Sequence, residues 1–288
     1  MTTSLLSMLE VSDTLLITLD ARARESMSRN PIIHDPKAVE MIEVIKKDIA
    51  DSNNLIHKKI VNGKYRSKLA TVVSLRSRQF DRYVCRFLEK HPGGTVINFG
   101  CGLDTRFQRI DNGKVTWFDI DFPEVIELRS RFITESDRHR FIAGSILDKD
   151  WIAIAKTGGP YCILAEGVFM YLTEADVKNL LLMIDRDLGG AELICEVSNR
   201  YWVDKMKTRY MKWKFKHQLG MAENAVFTFG IPHSRYFEQW SERYHFLDEW
   251  TYFDEKEQKL GWFNWFSSIE VFRKVQWTVR YQIGDLQQ

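Results

Sequence analysis

The sequence predicts an α/β protein: a doubly wound, mostly parallel sheet of seven strands under a helical cap. Three observations predict it. Between residues 95 and 197, five short apolar runs alternate with helical stretches. Alternation of this kind is the pattern of a parallel sheet covered on both faces. Two further strand candidates, 246–253 and 275–283, are separated by about twenty residues, close enough to form an antiparallel edge. Residues 1–60 and 199–243 are helical in pattern, poor in strand signals, and assigned to the cap. All 288 residues read as one domain, with 67–198 and 244–288 forming the core.

Taken in order, residues 4–60 are helical with breaks at Asn30-Pro31 and Asp35-Pro36, because a residue before proline avoids the helical region. Asn53-Asn54 and Asn62-Gly63 mark further loops. Residues 68–90 form an amphipathic helix, with Leu69, Val73, Phe80, Tyr83, Val84 and Phe87 on one stripe. Arg76 falls in the middle of that stripe, while Arg78, Arg82 and Arg86 lie outside it. His91-Pro92-Gly93-Gly94 ends the helix. The apolar runs are 95–99, 115–120, 140–143, 161–165 and 192–197, and the helices between them are 123–133, 148–156 and 174–188. Thr173 followed by Asp176 makes a capping-box start for the third of these helices. Right-handed crossovers turn such a series into a doubly wound sheet.

Composition excludes several classes. With 41 Lys plus Arg against 39 Asp plus Glu, the formal net charge of +2 gives no basic excess for nucleic acid. No apolar run approaches the roughly 20 residues of a membrane helix. Glu10 and Asp13 make a poor signal peptide, and Cys85, Cys101, Cys162 and Cys195 are too dispersed for a metal site. A reduced, cytoplasmic protein is expected. Aromatic residues are unevenly placed, since 22 of the 37 Phe, Trp and Tyr follow residue 200.

The first strand runs into Gly100-Cys101-Gly102-Leu103-Asp104-Thr105. Two glycines let the backbone pass tightly under a ligand at the carboxyl end of a strand. A dinucleotide fingerprint wants a third glycine where Thr105 stands, which argues against a dinucleotide-dependent oxidoreductase. The second strand ends in Asp119-Ile120-Asp121, where a carboxylate can accept both hydroxyls of a ribose; Asp121 is ranked first and Asp119 is kept. Glu166 follows an apolar run, so it either faces a ligand's ammonium or ribose, or closes the sheet edge as an ion pair with Arg76, or does both. Arg76 itself either meets an anion or snorkels to water. A carboxylate would be a natural partner, since Arg binds it with two parallel bonds.

Together these residues resemble the leucine carboxyl methyltransferase family, in particular its bacterial branch that includes polyketide O-methyltransferases. The likeness covers nearly the whole chain. It is carried by Leu19-Asp20-Ala21-Arg22-Ala23 with Ile32-Ile33-His34-Asp35-Pro36, by Arg76-Ser77-Arg78, by Gly100 through Arg106, by Phe118 through Val125, and by Ala165 through Leu172. The fold it implies is the Rossmann-like sheet of the class I S-adenosylmethionine methyltransferases. By that resemblance Arg76 holds the methionine carboxylate of S-adenosylmethionine, Gly100 and Gly102 pass under the methionine portion, and Asp121 takes the ribose. Glu166 then contacts the ammonium or ribose, and Arg22 stands near the cofactor. The family often has an acid where Ile146 stands here, which leaves Leu147 and Asp148 as the candidates beside adenine.

A carboxylate acceptor is ionised at neutral pH and needs no general base, whereas a phenol would need one. His34, His217, His233 and His245 stand in no motif that marks a base. The expectation is therefore methyl-ester formation on a small aromatic or polyketide-like acid, giving S-adenosylhomocysteine. Tyr171, Tyr201, Tyr210 and Trp213 are the acceptor-contact candidates, and Lys205, Lys207, Arg209, Lys212, Lys214 and Lys216 are bases able to attract an acid. Methylation of a protein C-terminus, or a non-catalytic ligand-binding role, are the alternatives. Trp250, Tyr252, Phe272 and Trp277 are expected in the core. No metal is expected, and the oligomeric state is left open.

Overall fold

A computed structural model describes residues 13–64, 67–206 and 227–285. Three helices open the described chain: α1 (Asp13–Ser26), α2 (Pro36–Asp48) and α3 (Leu55–Val61). Asp35 and Asn54 cap the second and third, each side chain accepting a backbone N–H of the first turn. These helices make a small core of their own from Leu16, Leu19, Met41, Ile42 and Ile45, which reaches Leu103 in the glycine loop and Leu128. Helix α4 (Ser67–Lys90) follows as one uninterrupted element.

The sheet is β1 (Thr95–Phe99), β2 (Thr116–Asp121), β3 (His139–Ala143), β4 (Tyr161–Ala165), β5 (Ala191–Ser198), β6 (Tyr244–Trp250) and β7 (Gln276–Ile283). Its order is β3-β2-β1-β4-β5-β7-β6, with β7 antiparallel to both β5 and β6. The seven strands, the parallel pairs and the antiparallel edge agree with the sequence reading. Helices α5 (Arg106–Ile110), α6 (Pro123–Ser130), α7 (Asp150–Ala155) and α8 (Glu174–Asp187) connect the parallel strands. The capping box of Thr173 and Asp176 is formed. Helix α5, five residues long, has no apolar period to announce it.

Alternate residues of the central strands feed two cores, as period-two pleating requires. Ile97, Phe99, Ile163, Leu193 and Cys195 pack with α7 and α8, whereas Val96, Cys162, Leu164 and Ile194 pack under Leu75, Phe80, Val84 and Phe87 of α4. The strand order reverses at β1 and β4, so the crevice beyond their carboxyl ends is the expected ligand position.

Two expectations need correction. Helix α9 (Arg200–Met206) begins the 199–243 segment, but 227–243 is not a helical cap. Ile231 bridges to Asn199, while Phe229, Ile231 and Phe237 are buried in the main core. The physical reason lies in Gly230-Ile231-Pro232. A Cβ on Gly230 would come within 2.9 Å of the Arg200 backbone, and a residue before proline is held extended. Second, Trp250, Tyr252 and Trp277 are buried as expected, but Phe272 is 40% exposed. It stands on the β6–β7 connection, after the 3-10 stretch Gln258–Ser268 and within the short helix α10 (Glu270–Arg273), rather than on a strand.

Candidate active site

The site is built where β1, β2, β4 and β5 end beside α4. After β1 the chain turns through Gly100 (φ +58°) and Gly102 (φ +49°), left-handed conformations that glycine adopts without steric cost. Both are closely covered. A Cβ on Gly100 would lie 2.6 Å from Val168 Cγ2, and one on Gly102 would lie 2.5 Å from Leu15 Cδ2 of α1.

The two acids ending β2 have separate jobs. Asp121 is half-buried, and it accepts the Gly102 N–H at 2.8 Å with one oxygen and the Phe122 N–H at 2.8 Å with the other. Burial pushes its carboxyl up, against the lowering effect of those two backbone bonds. Asp119 is fully buried. It accepts from Asn98 at 2.9 Å, Trp117 Nε1 at 3.0 Å and Arg129, and shares a 2.6 Å hydrogen bond with His139. Burial would raise this carboxyl, but Arg129 and His139 outweigh it and hold it low. Asp119 is thus fully buried and engaged with protein partners beneath the loop. Arg129 completes the support by donating to the carbonyls of Gly102, at 3.1 Å, and Asp104.

Around the loop runs a second network. Arg76 donates from Nε to Glu166 at 2.8 Å and from Nη1 to Glu196 at 2.8 Å. Among the described residues its Nη2 has no hydrogen-bond partner. Tyr252 donates to the other oxygen of Glu196 at 2.6 Å, and Ser77 adds a 3.3 Å bond to Glu166. Arg106 joins Glu166 to Asp104 and to Asp81, and Arg109 joins Asp81 to Asp35. Arg22 pairs with Asp35 at 3.1 Å and donates to the Leu103 carbonyl at 2.8 Å, tying α1 and α2 to the loop. Burial opposes charge on Glu166, yet Arg76 and Arg106 prevail and lower its carboxyl; Asp104 is likewise held low, chiefly by Arg106 against its own burial.

Four guanidiniums, those of Arg22, Arg76, Arg106 and Arg109, therefore meet five carboxylates, those of Asp35, Asp81, Asp104, Glu166 and Glu196. One negative charge is left over, in a region where burial strengthens electrostatics. That surplus suits a ligand whose own charges sum to a cation, and the Arg76 Nη2 suits a carboxylate on the same ligand. S-adenosylmethionine, with a sulfonium, an ammonium and a carboxylate, has that charge pattern, so the residues present fit it.

The remaining candidates are placed as follows. Ile146 turns inward to the core and its carbonyl accepts from Trp151 Nε1 at 3.0 Å, while Leu147 is 40% exposed and Asp148 is exposed. Tyr171, at the end of a 3-10 turn (Phe169–Tyr171), is partly exposed and meets Phe227 edge-on at 5.5 Å. Burial and then the Glu196 charge raise its hydroxyl. Tyr201 is half-exposed on α9, against Trp202. Tyr210, Trp213, His217 and the bases from Lys207 to Lys216 lie outside the described residues. His34, His233 and His245 are exposed, and none bonds to a residue of the network. Glu196, Arg106, Arg109 and Arg129 were missed as site residues. Glu196 carried the same signal that singled out Glu166, an acid inside an apolar run.

The strand order with its antiparallel β7, the glycine loop and the acid ending β2 define a class I S-adenosylmethionine-dependent methyltransferase. The chain belongs to the leucine carboxyl methyltransferase family, whose model matches residues 15–185. It is 32% identical over 245 residues to the tetracenomycin polyketide synthesis O-methyltransferase TcmP of Streptomyces glaucescens, covering 85% of this chain and 84% of the relative. It is 32% identical over 190 residues to the S-adenosyl-L-methionine-dependent methyltransferase dpfgK of Gibberella zeae, covering 62% of each. Among solved structures, a SAM-dependent methyltransferase from Anabaena variabilis aligns with a TM-score of 0.46 at 12% identity, over 70% of this chain and 84% of that one. Among the described residues no helix is long and apolar enough to cross a membrane, and no cluster of His, Cys, Asp and Glu could hold a metal ion.

Proposed function

We propose that the protein methylates a carboxylate oxygen of a small aromatic or polyketide-like acid, producing a methyl ester. The observation that carries the methyl-transfer reading is Arg76, held by Glu166 and Glu196 with Nη2 left to take the methionine carboxylate of S-adenosylmethionine. When bound, S-adenosylmethionine supplies a methyl group on a positively charged sulfur, an electrophile that needs no further activation. Arg76 holds the methionine carboxylate, and Glu166 orients Arg76 and lies toward the ammonium. The Gly100–Gly102 backbone passes under the methionine portion. Asp121 accepts the ribose hydroxyls, and Leu147 and Asp148 border the adenine. Arg22 and Asp119 are positioning residues that hold the loop from above and below. Tyr171, Tyr201, Tyr210 and Trp213 contact the acceptor.

Positioning is then most of the catalysis, and orientation can supply roughly 7–11 kcal/mol. A carboxylate carries no proton to remove, which suits a site whose described candidate histidines stand away from the network. The name of the family and the polyketide role in the name of the Streptomyces relative support an oxygen acceptor of this kind. The test is incubation with methyl-labelled S-adenosylmethionine and a panel of aromatic acids, followed by mild alkali. Label released by alkali is ester; label that stays on the product would overturn the carboxylate reading.

A further inference from the structure

The β6–β7 connection carries an exposed aromatic surface that the cofactor site does not use. Trp262 is 61% exposed and Trp265 is 86% exposed, with Phe263, Ile269 and Phe272 partly exposed beside them. The rings are in mutual contact: Trp262 to Phe263 at 4.4 Å, Trp262 to Phe266 at 5.6 Å, and Phe266 to Phe272 at 5.3 Å. Contiguous exposed apolar surface of this kind marks a binding face.

The connection is fastened at its base. Glu255 pairs with both Arg78 and Arg82 of α4, Lys259 reaches Glu25 and the Asn30 carbonyl, and Leu260 is buried. At its start Tyr252 donates to Glu196, which in turn holds Arg76, so the connection is also anchored to the Arg76 network. Over the rings stands one cation. Lys68 Nζ lies 4.5 Å from the Trp262 ring centroid and 4.3 Å from that of Phe263, and among the described residues no carboxylate pairs with it. Eight residues before Arg76 on α4, it stands about 12 Å along the helix axis from the cofactor-binding arginine.

We propose that Lys68, Trp262 and Phe263 seat the acceptor: a flat aromatic ring bearing an anionic oxygen. The ring stacks on Trp262, and the anion reaches the Lys68 ammonium, which the indole and phenyl faces already hold in place. Charge complementarity selects this occupant, because a neutral ring would leave the Lys68 ammonium without an anion. The assignment of the ring as acceptor rests on the methyltransferase reading above; the ring-and-anion preference does not.

Tryptophan fluorescence titrations with 2-naphthoate and with its neutral analogue 2-naphthalenemethanol test the seat. The expected result is a preference of about tenfold or more for naphthoate, an energy of about 1.4 kcal/mol. Lys68→Met should abolish that preference while adenosylhomocysteine affinity, measured by calorimetry, is unchanged. Trp262→Ala should weaken both ligands. Equal affinities in the unaltered protein, or a preference retained in Lys68→Met, would overturn the proposal. So would sedimentation showing a dimer that Trp265→Ala dissociates, since the surface would then be a self-interface. Failure of the unaltered protein to bind adenosylhomocysteine would overturn the proposed function and leave the naphthoate result standing.

Discussion

Arg76 and Glu166 stand ninety residues apart in sequence and form a 2.8 Å ion pair that joins the middle of α4 to the end of β4. The pair is mostly buried, and Glu196 closes its other side. Each acid holds the guanidinium plane in one orientation, so Arg76 presents a fixed donor rather than a mobile side chain. The same arrangement gives Arg76 a structural role beside the cofactor role proposed for it.

Arg76→Lys therefore separates the two roles better than Arg76→Ala. Alanine leaves Glu196 without its guanidinium and Glu166 with Arg106 alone in a mostly buried site, and should cost about 3–5 kcal/mol of stability. Lysine keeps the charge but cannot meet Glu166, Glu196 and a ligand carboxylate with planar geometry. Adenosylhomocysteine affinity should fall by about tenfold or more, matching roughly 1.5–3 kcal/mol for a charged hydrogen bond. Calorimetry beside a thermal melt measures both effects. An unchanged affinity would return Arg76 to a purely structural role.

Asp121→Asn should likewise lower adenosylhomocysteine affinity by roughly tenfold, because the amide can no longer accept with both atoms. The unaltered protein has a pH signature as well. Burial raises the Asp121 carboxyl, so on acidification it takes up its proton earlier than an ordinary carboxylate. Affinity should decline in that mildly acidic range, and Asp121→Asn should flatten the decline.

Asp119→Asn breaks a buried pair with Arg129 and should cost about 3–5 kcal/mol, read as a urea midpoint at neutral pH. The sign of the pH effect follows from its lowered carboxyl. Stability from the charge is fully present above the unfolded value of about 3.9 and is lost as pH falls through the lower folded value. The destabilisation by Asp119→Asn should therefore be large at pH 7 and shrink at strongly acid pH. An equal deficit at both would show that the hydrogen bonds, not the charge, carry the effect.

Gly100→Ala and Gly102→Ala each introduce left-handed strain of about 1–2 kcal/mol and a Cβ colliding with Val168 or Leu15. Both should weaken adenosylhomocysteine binding. Gly113→Ala is the control: its φ is +79°, and its Cβ would meet no atom within 4 Å. It should share the backbone strain and keep the affinity, whereas equal loss in all three would mean that the loop acts only through global stability.

What the sequence by itself determined is what local chemistry encodes. Apolar runs, glycines and prolines delimited the seven strands and α4, and the Thr173–Asp176 box started α8. The alternation of these elements led to the doubly wound sheet, and the Gly100–Thr105 loop placed the ligand crevice. Only the tertiary structure distinguished the surroundings of Asp119 from those of Asp121, because both end the same strand and only the side chains of Arg129, His139 and Trp117 show which acid is paired beneath the loop. It also supplied Glu196 and Arg106 as members of the Arg76 network, pulled Phe229 and Phe237 out of the expected cap into the core, and turned Trp262 and Trp265 outward. The physical reason is common to all of these. Periodicity and turn chemistry act over a few residues, whereas a buried charge finds its partner, and a ring its neighbour, only once distant segments have packed.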